Sequence, residues 1–337
     1  MVDSQMALEQ AVTEAVSLAT RAPSVHNTQP WRFRIGGDRV ECFADFSRQL
    51  PVLDPTRRQL YVSCGAALHH LTVALRAAGY ASNVQLTPDE QHNATGETDQ
   101  PAPIATVLVS LGPPASAGDV ALAAAIDERH TQREPFADRH VEHAALAGLR
   151  QTAETEGAWL AILDSREDQI TLAVLLNHAD QAELANPDYQ RELHNWRRTE
   201  PATDGIPTSA LPEPAIRHSE VPVRDFTAGD PHPADQAPPP TDSPPPDERP
   251  ALLILGTDAD SPTQWIHAGQ ALSALLLAAT TQGLRASMLG QVIDLPATRA
   301  QLRTLLRLIG EPQMVLRIGY GPAAPATPRR PLTEILS

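Results

Sequence analysis

Apolar residues recur at helical spacing through Leu8, Val12, Ala15, Val16 and Ala19, and the period then changes: Trp31, Phe33 and Ile35 alternate with two arginines. The first pattern predicts an amphipathic helix and the second a strand. Three small polar residues would suffice to join them. The connection, "RAPSVHNTQPW" from Arg21 to Trp31, instead carries Ser24, His26, Asn27 and Gln29, four side chains rich in hydrogen-bonding groups.

Further along, "GAALHHLTVALRAAG" (Gly65 to Gly79) aligns without a gap on "GQALSALLLAATTQG" (Gly269 to Gly283), sharing both terminal glycines and Ala67/Ala271, Leu68/Leu272, Leu71/Leu275 and Ala74/Ala278. Each copy predicts a helix stopped by glycine. An apolar strand closing on glycine follows each, "PIATVLVSLG" (Pro103 to Gly112) and "PQMVLRIGYG" (Pro312 to Gly321). The shared order points to an internal duplication, with a first half of about 1–120 and a second of about 121–337. The second helix is apolar nearly all round, which predicts burial on every side, as at an interface between the halves.

The second half is interrupted over 186–250. "NPDYQRELHNWRRTEPATDGIP" predicts a short helix bearing Trp196 and then turns. From Asp230 to Pro250, nine of 21 residues are proline, so neither helix nor sheet is expected to persist there. Excursions of this length are characteristic of lids, binding loops and linkers.

At 337 residues and 42 % hydrophobic composition the chain can bury a large core. Its longest apolar run, Ala271 to Ala279, falls short of the roughly 20 residues a bilayer span needs. The N-terminus has no basic region followed by an apolar one, so a cytoplasmic protein is expected. A formal net charge of −15 argues against a nucleic-acid or anionic-membrane partner. Any anionic ligand must be met by a local arginine cluster. Cys42 and Cys64 have neither disulfide-framework nor zinc-site spacing and read as buried small hydrophobes.

No P-loop, G-x-S-x-G or H-E-x-x-H motif is present, and "GYG" near Gly319 lacks a full dinucleotide fingerprint. His140 and His143 suit a solvated helix face better than a metal, since no third ligand lies nearby. His69 and His70 stand where the second copy has Ser273 and Ala274, so the copies share no role there. No metal site and no acid or base residue is called for. Three polar clusters remain: the opening connection; "RHTQREPF", where Arg129, Thr131 and Arg133 would project to one side if extended; and "TPRRPL", where Arg329 and Arg330 stand between prolines.

Together these clusters resemble the flavin-dependent nitroreductase family. "APSVHNTQPW" is similar to its helix-to-strand segment and "RHTQREPF" to its Arg-x-Ser-x-Arg motif, while the terminal "PRR" matches its basic pair. The combination in one duplicated chain most resembles the Acg subfamily of FMN-binding proteins of actinobacteria. The resemblance implies an α+β nitroreductase fold whose two halves mimic the family's homodimer as an intrachain pseudo-dimer, so that a monomer is expected, with the insert as a lid. It implies one FMN site assembled across the halves. Arg129, Arg133 and one of Arg329 and Arg330 would take the phosphate with Thr131, while Ser24, His26, Asn27 and Gln29 would face ring or ribityl oxygens. "LRASMLGQ" corresponds to the family's loop under the isoalloxazine and contributes Ser287, Met288, Leu289 and Gln291; a plain helix exit is its other reading. NAD(P)H would be the reductant and a nitroaromatic or quinone the acceptor. The alternatives are a non-catalytic FMN-sequestering protein with the Trp196 segment closed over the flavin, and a flavin-free interaction module.

Overall fold

The computed structural model describes residues 2–88, 102–211, 224, 226 and 248–337. The chain opens with α1 (Val2–Ala19), which buries Val12, Ala15, Val16 and Ala19. The antiparallel pair β1 (Trp31–Gly36) and β2 (Arg39–Ala44) follows, then α2 (Arg58–Ala77), β3 (Tyr80–Leu86) and β4 (Ala105–Leu111). These strands form a four-stranded sheet in the order β1-β2-β4-β3. Trp31 and Phe33, at 0 % exposure, are the core-facing side of β1 that the alternation predicts.

A capped helix, α3 (Ala117–Glu128), leads to α4 (His143–Thr155), β5 (Trp159–Ile162), α5 (Arg166–Leu184) and α6 (Pro187–Trp196). The short parallel pair β6 (Arg197–Arg198) and β7 (Ile206–Pro207) belongs to the insert. The chain then returns through β8 (Ala251–Thr257), α7 (Pro262–Thr281), β9 (Arg285–Met288), α8 (Gln291–Asp294), α9 (Pro296–Leu305) and β10 (Glu311–Gly319). The second sheet has the order β5-β8-β10-β9 and is also antiparallel throughout. Each sheet is thus made by a pair of strands, a long helix, an edge strand and a final strand that inserts between the pair and the edge.

The helices α2 and α7 are the aligned glycine-ended segments, and they pack against each other more extensively than any other two elements. Both are buried along most of their length. Gly79 and Gly283 end them at φ +83° and +72°, the left-handed backbone that favours glycine. His69 Nδ1 and Ser273 Oγ, at aligned positions, lie 2.8 Å apart across the pair. Cys42 and Cys64 are free thiols at 0 % exposure. His140 and His143 are exposed, with His140 Nε2 2.9 Å from Arg249.

The proline tract expected over Asp230 to Pro250 lies outside the described residues up to 247. No helix among the described residues is long and apolar enough to cross a membrane.

Candidate functional site

The helix pair borders a cleft of about 1040 Å³, open solvent at its mouth included. Val62 of α2, Leu272 of α7, Met288 of β9 and Met314 of β10 supply an apolar lining. Polar groups reach it from six stretches of chain: the connection after α1, α2, the arginine segment after α3, the insert, the β9–α8 junction and the C-terminal segment.

The connection is a tight 3-10 turn, Val25–Asn27, with three non-glycine residues at positive φ: His26 at +47°, Asn27 at +55° and Gln29 at +50°. Such backbone is costly and persists only when its surroundings determine it. Here the side chains do so. Ser24 Oγ accepts the Gln29 N–H at 2.9 Å, and the Asn27 amide donates to the carbonyls of Gly205 (2.9 Å) and Pro328 (3.1 Å). Ser24, His26 and Asn27 line the cleft. Gln29 does not: it is buried behind the turn, donating to Thr203 O at 2.9 Å and accepting the Arg330 N–H at 2.8 Å. Against the expectation that Gln29 faces a ligand, its amide here joins the turn to the insert and the C-terminal segment. Burial and the nearby Arg224 and Arg133 hold His26 well below the usual histidine range, so it is neutral.

Arg129, Thr131 and Arg133 all line the cleft, on the extended stretch that bridges to β9 through Thr131 and Ala286. Arg329 joins them. Arg129 and Arg329 both donate to the Arg21 carbonyl, at 3.2 and 3.0 Å. None of the three arginines has a carboxylate partner among the described residues. Burial pushes Arg129 and Arg133 down to about 10; burial, Arg129 and Arg21 push Arg329 down to about 9. Desolvated cations without counter-ions are destabilising by several kcal/mol each, so an anion bound here relieves a cost the fold already carries. Arg330 faces the other way. Its guanidinium donates to the carbonyls of Gln29 (3.2 Å) and Glu334 (3.0 Å) and lies 3.9 Å from Asp45. It supports the turn and takes no place in the cleft.

The segment read as a loop, "LRASMLGQ", is the edge strand β9 followed by the single turn α8. Ser287, Met288, Gly290 and Gln291 line the cleft. Leu289 is corrected: its N–H donates to Val315 O at 2.8 Å, and its side chain packs with Leu172, Val292 and Val315 in a separate core. Orphaned polar atoms mark the same surface, with Nε of Arg129 and Arg329, Nδ1 of His26 and Nε2 of Gln291 buried and unpartnered.

Several lining residues carried no sequence expectation: Gln59 and Ser63 on α2, Asp294, and Arg224 and Phe226 from the insert. Asp294 accepts from Arg58 (3.1 Å), Gln59 (2.6 Å) and Arg224 (3.2 Å), and Arg224 also donates to Glu183 at 2.9 Å. The Phe226 ring meets His26 edge-on at 6.0 Å, with the Arg133 guanidinium 5.8 Å from its centre. Gln59 and Ser63 are polar at i and i+4 on a buried helix face, a readable signal. Arg224 and Phe226 stand in an aperiodic stretch and offer none. Trp196, which the sequestering alternative would close over the flavin, packs against Leu50, Leu53, Tyr189 and Leu193, with Arg48 and Arg198 over its ring at 5.3 and 5.5 Å.

No family model matches the chain. A Mycobacterium tuberculosis protein provisionally named NAD(P)H nitroreductase is 34 % identical over 335 residues, spanning 97 % of this chain and 91 % of the relative. The protein of the same organism provisionally named NAD(P)H nitroreductase acg is 31 % identical over 335 residues, spanning 98 % and 96 %. Among solved structures, a nitroreductase with bound FMN from Desulfitobacterium hafniense covers 64 % of this chain and 97 % of its own at 13 % identity and a TM-score of 0.38. A provisionally named nitroreductase from Anabaena variabilis covers 84 % and 69 % at 12 % identity and a TM-score of 0.43.

Proposed function

This chain belongs to the nitroreductase family, and from that premise we propose that it is an FMN-dependent oxidoreductase, using NAD(P)H to reduce a small acceptor such as a nitroaromatic or quinone. The observation that carries the reading is the pair of desolvated guanidinium groups, Arg129 and Arg329, which share the Arg21 carbonyl and have no carboxylate partner among the described residues, in an apolar-lined cleft that Arg133 also lines. Guanidinium forks match phosphate oxygens bidentately. Bound FMN supplies the capacity to accept hydride from a nicotinamide and pass electrons onward.

The protein's part is binding and exclusion of water. Arg129 and Arg329, which share the Arg21 carbonyl, hold the phosphate with the Thr131 hydroxyl beside them. The unpartnered Nδ1 of His26 and Nε2 of Gln291, with Ser24, Asn27 and Ser287, meet the ribityl and ring polar groups. Val62, Leu272, Met288 and Met314 keep the ring's surroundings dry, which strengthens those hydrogen bonds.

In this proposal the halves 1–120 and 121–337 act as the two members of a dimer folded into one chain. The turn at Ser24–Asn27 comes from the first half and the arginines from the second. The junction between them falls inside α3, which packs on both α2 and α7. The insert 186–250 closes the cleft through Ile206, Arg224 and Phe226. A second reading, retention of FMN without turnover, is favoured by one observation: Phe226 stands against His26 while Arg224 is tied to Glu183 and Asp294.

The test is direct. The purified protein is expected to carry flavin absorbance and to oxidise NAD(P)H when a quinone or nitroaromatic is added. Bound FMN that dithionite reduces and NAD(P)H does not would select the retention reading, and a protein that binds no flavin would overturn both.

A further inference from the structure

The guanidinium pair is reached from two sides. Behind Arg129 and Arg329 lies another cavity, about 890 Å³ with open solvent included, between the ends of α1 and α3 and the C-terminal segment. Arg129, Thr327 and Arg329 line both cavities. These three residues stand between the cavities, and the two arginines donate to a single carbonyl. Arg129 is 5 % exposed and its Nε is unpartnered, as is that of Arg329.

The outer cavity is one-sided in charge. Arg21, Arg129, Arg329 and Arg330 line it against one acidic side chain, Asp127, which Arg21 takes up. Arg330 is turned toward Glu334 and Gln29. His130 is held below the usual histidine range by burial and then by Arg129 and Arg329, so it offers a neutral imidazole. Ala326 and Leu332 provide apolar surface beside these groups, above the buried Ile126. Basic groups next to apolar surface, continuous with a phosphate site, are what a phosphate-linked aromatic group requires.

We propose that the outer cavity accepts an extension carried on the flavin's phosphate, so that this chain binds the dinucleotide FAD as well as FMN. This rests on the flavin reading of the inner cleft. Arg129 and Arg329 serve the phosphate common to both flavins, Arg21 the second phosphate, and Ala326 and Leu332 the nucleoside.

The experiment titrates flavin-stripped full-length protein with FMN and with FAD, following flavin fluorescence. FAD is expected to bind within about tenfold of FMN, a difference of about 1.4 kcal/mol. Ala326→Trp, which fills the outer cavity from an exposed position, is expected to weaken FAD by more than about thirtyfold and to leave FMN within about threefold. Arg21→Glu, an exchange at an exposed residue, is expected to weaken FAD more than FMN and guards against misfolding of the tryptophan variant. FMN binding with FAD excluded overturns the inference and leaves the flavin reading standing. FAD binding that neither variant distinguishes from FMN also overturns it. Failure to bind either flavin removes the premise itself.

Discussion

Gly65 and Gly269 meet at the crossing of α2 and α7, where a Cβ on Gly65 would fall 2.1 Å from Ile266 O and one on Gly269 2.0 Å from Val62 O. Each glycine faces the residue three places before the other, the reciprocity of a two-fold relation. The obstructing atoms are backbone and cannot rotate away. Gly65→Ala and Gly269→Ala are each expected to cost about 3 kcal/mol or more in urea denaturation, with a single transition because both sheets rest on this pair. A cost under about 1 kcal/mol would mean the helices separate readily.

The same crossing carries a pH dependence through His69. Burial and Arg76 push its imidazole down to about 3, and its Nδ1 is engaged with Ser273. Its Nε2 stands 3.9 Å from Glu156, which with a neutral ring is no ion pair. The folded state binds the proton less readily than the unfolded chain, so the stabilisation is complete above the unfolded value of about 6.5 and is lost as pH falls toward 3. Between pH 7.5 and 5 this one group is expected to withdraw about 2 kcal/mol. His69→Gln should lose correspondingly less stability over that interval, measured by denaturation at both pH values; equal losses would count against the linkage.

The relation between the halves also predicts one flavin per chain. At the offset that aligns α2 with α7, Ser63, Met288 and Gly290 of the cleft correspond to His267, Val84 and Leu86, and these line a separate surface crevice with Gln264, Gln270 and Glu156. Among the described residues no arginine lines that crevice, and its charged residue is a carboxylate, which repels phosphate. Flavin released on denaturation is expected at about one per chain, the count set by the one arginine cluster. Two per chain would sink the half-site reading.

How far the sequence disclosed this arrangement follows the range of the interactions involved. The paired helices were legible because terminal glycines and apolar spacing are local. The turn and the arginine segment were legible because each is contiguous. Arg329 and Arg330 show where legibility stops: neighbours in an extended stretch point to opposite sides, but which side meets the cleft is set by Gln29, far away in sequence, capturing the Arg330 N–H. Leu289 was misplaced for a related reason, since β9 is defined by its pairing with β10. Trp196 was legible only as a residue to be buried, because a large aromatic in an insert does not disclose its partners, here Leu50 and Leu53.

For the phosphate, Arg129→Ala and Arg329→Ala are each expected to weaken FMN by about 2–5 kcal/mol, the range for removing one partner of a desolvated charge contact. Riboflavin, which lacks the phosphate, should be affected far less. Arg133 stands apart, near Phe226 and the Ala210 carbonyl. Arg133→Ala is expected to affect FMN and riboflavin alike. A selective loss of FMN at Arg133 would return it to the phosphate group.

The contact between Phe226 and His26 provides the means to separate turnover from retention. Phe226 can be truncated without leaving a buried charge unpaired, whereas Arg224→Ala would strand Glu183 and Asp294 and cost about 3–5 kcal/mol. Phe226→Ala is therefore expected to keep the fold and the flavin while removing the ring that the insert places at the cleft. If the insert limits access, the rate of flavin reduction by NAD(P)H rises in the variant by about tenfold or more, the effect of relieving about 1.4 kcal/mol of barrier. If wild type and variant are equally fast, closure by the insert is peripheral to turnover. If both stay inert toward NAD(P)H while dithionite reduces them, the obstruction lies among Ser24, His26, Asn27 and Gln291 themselves, and retention of FMN is the function.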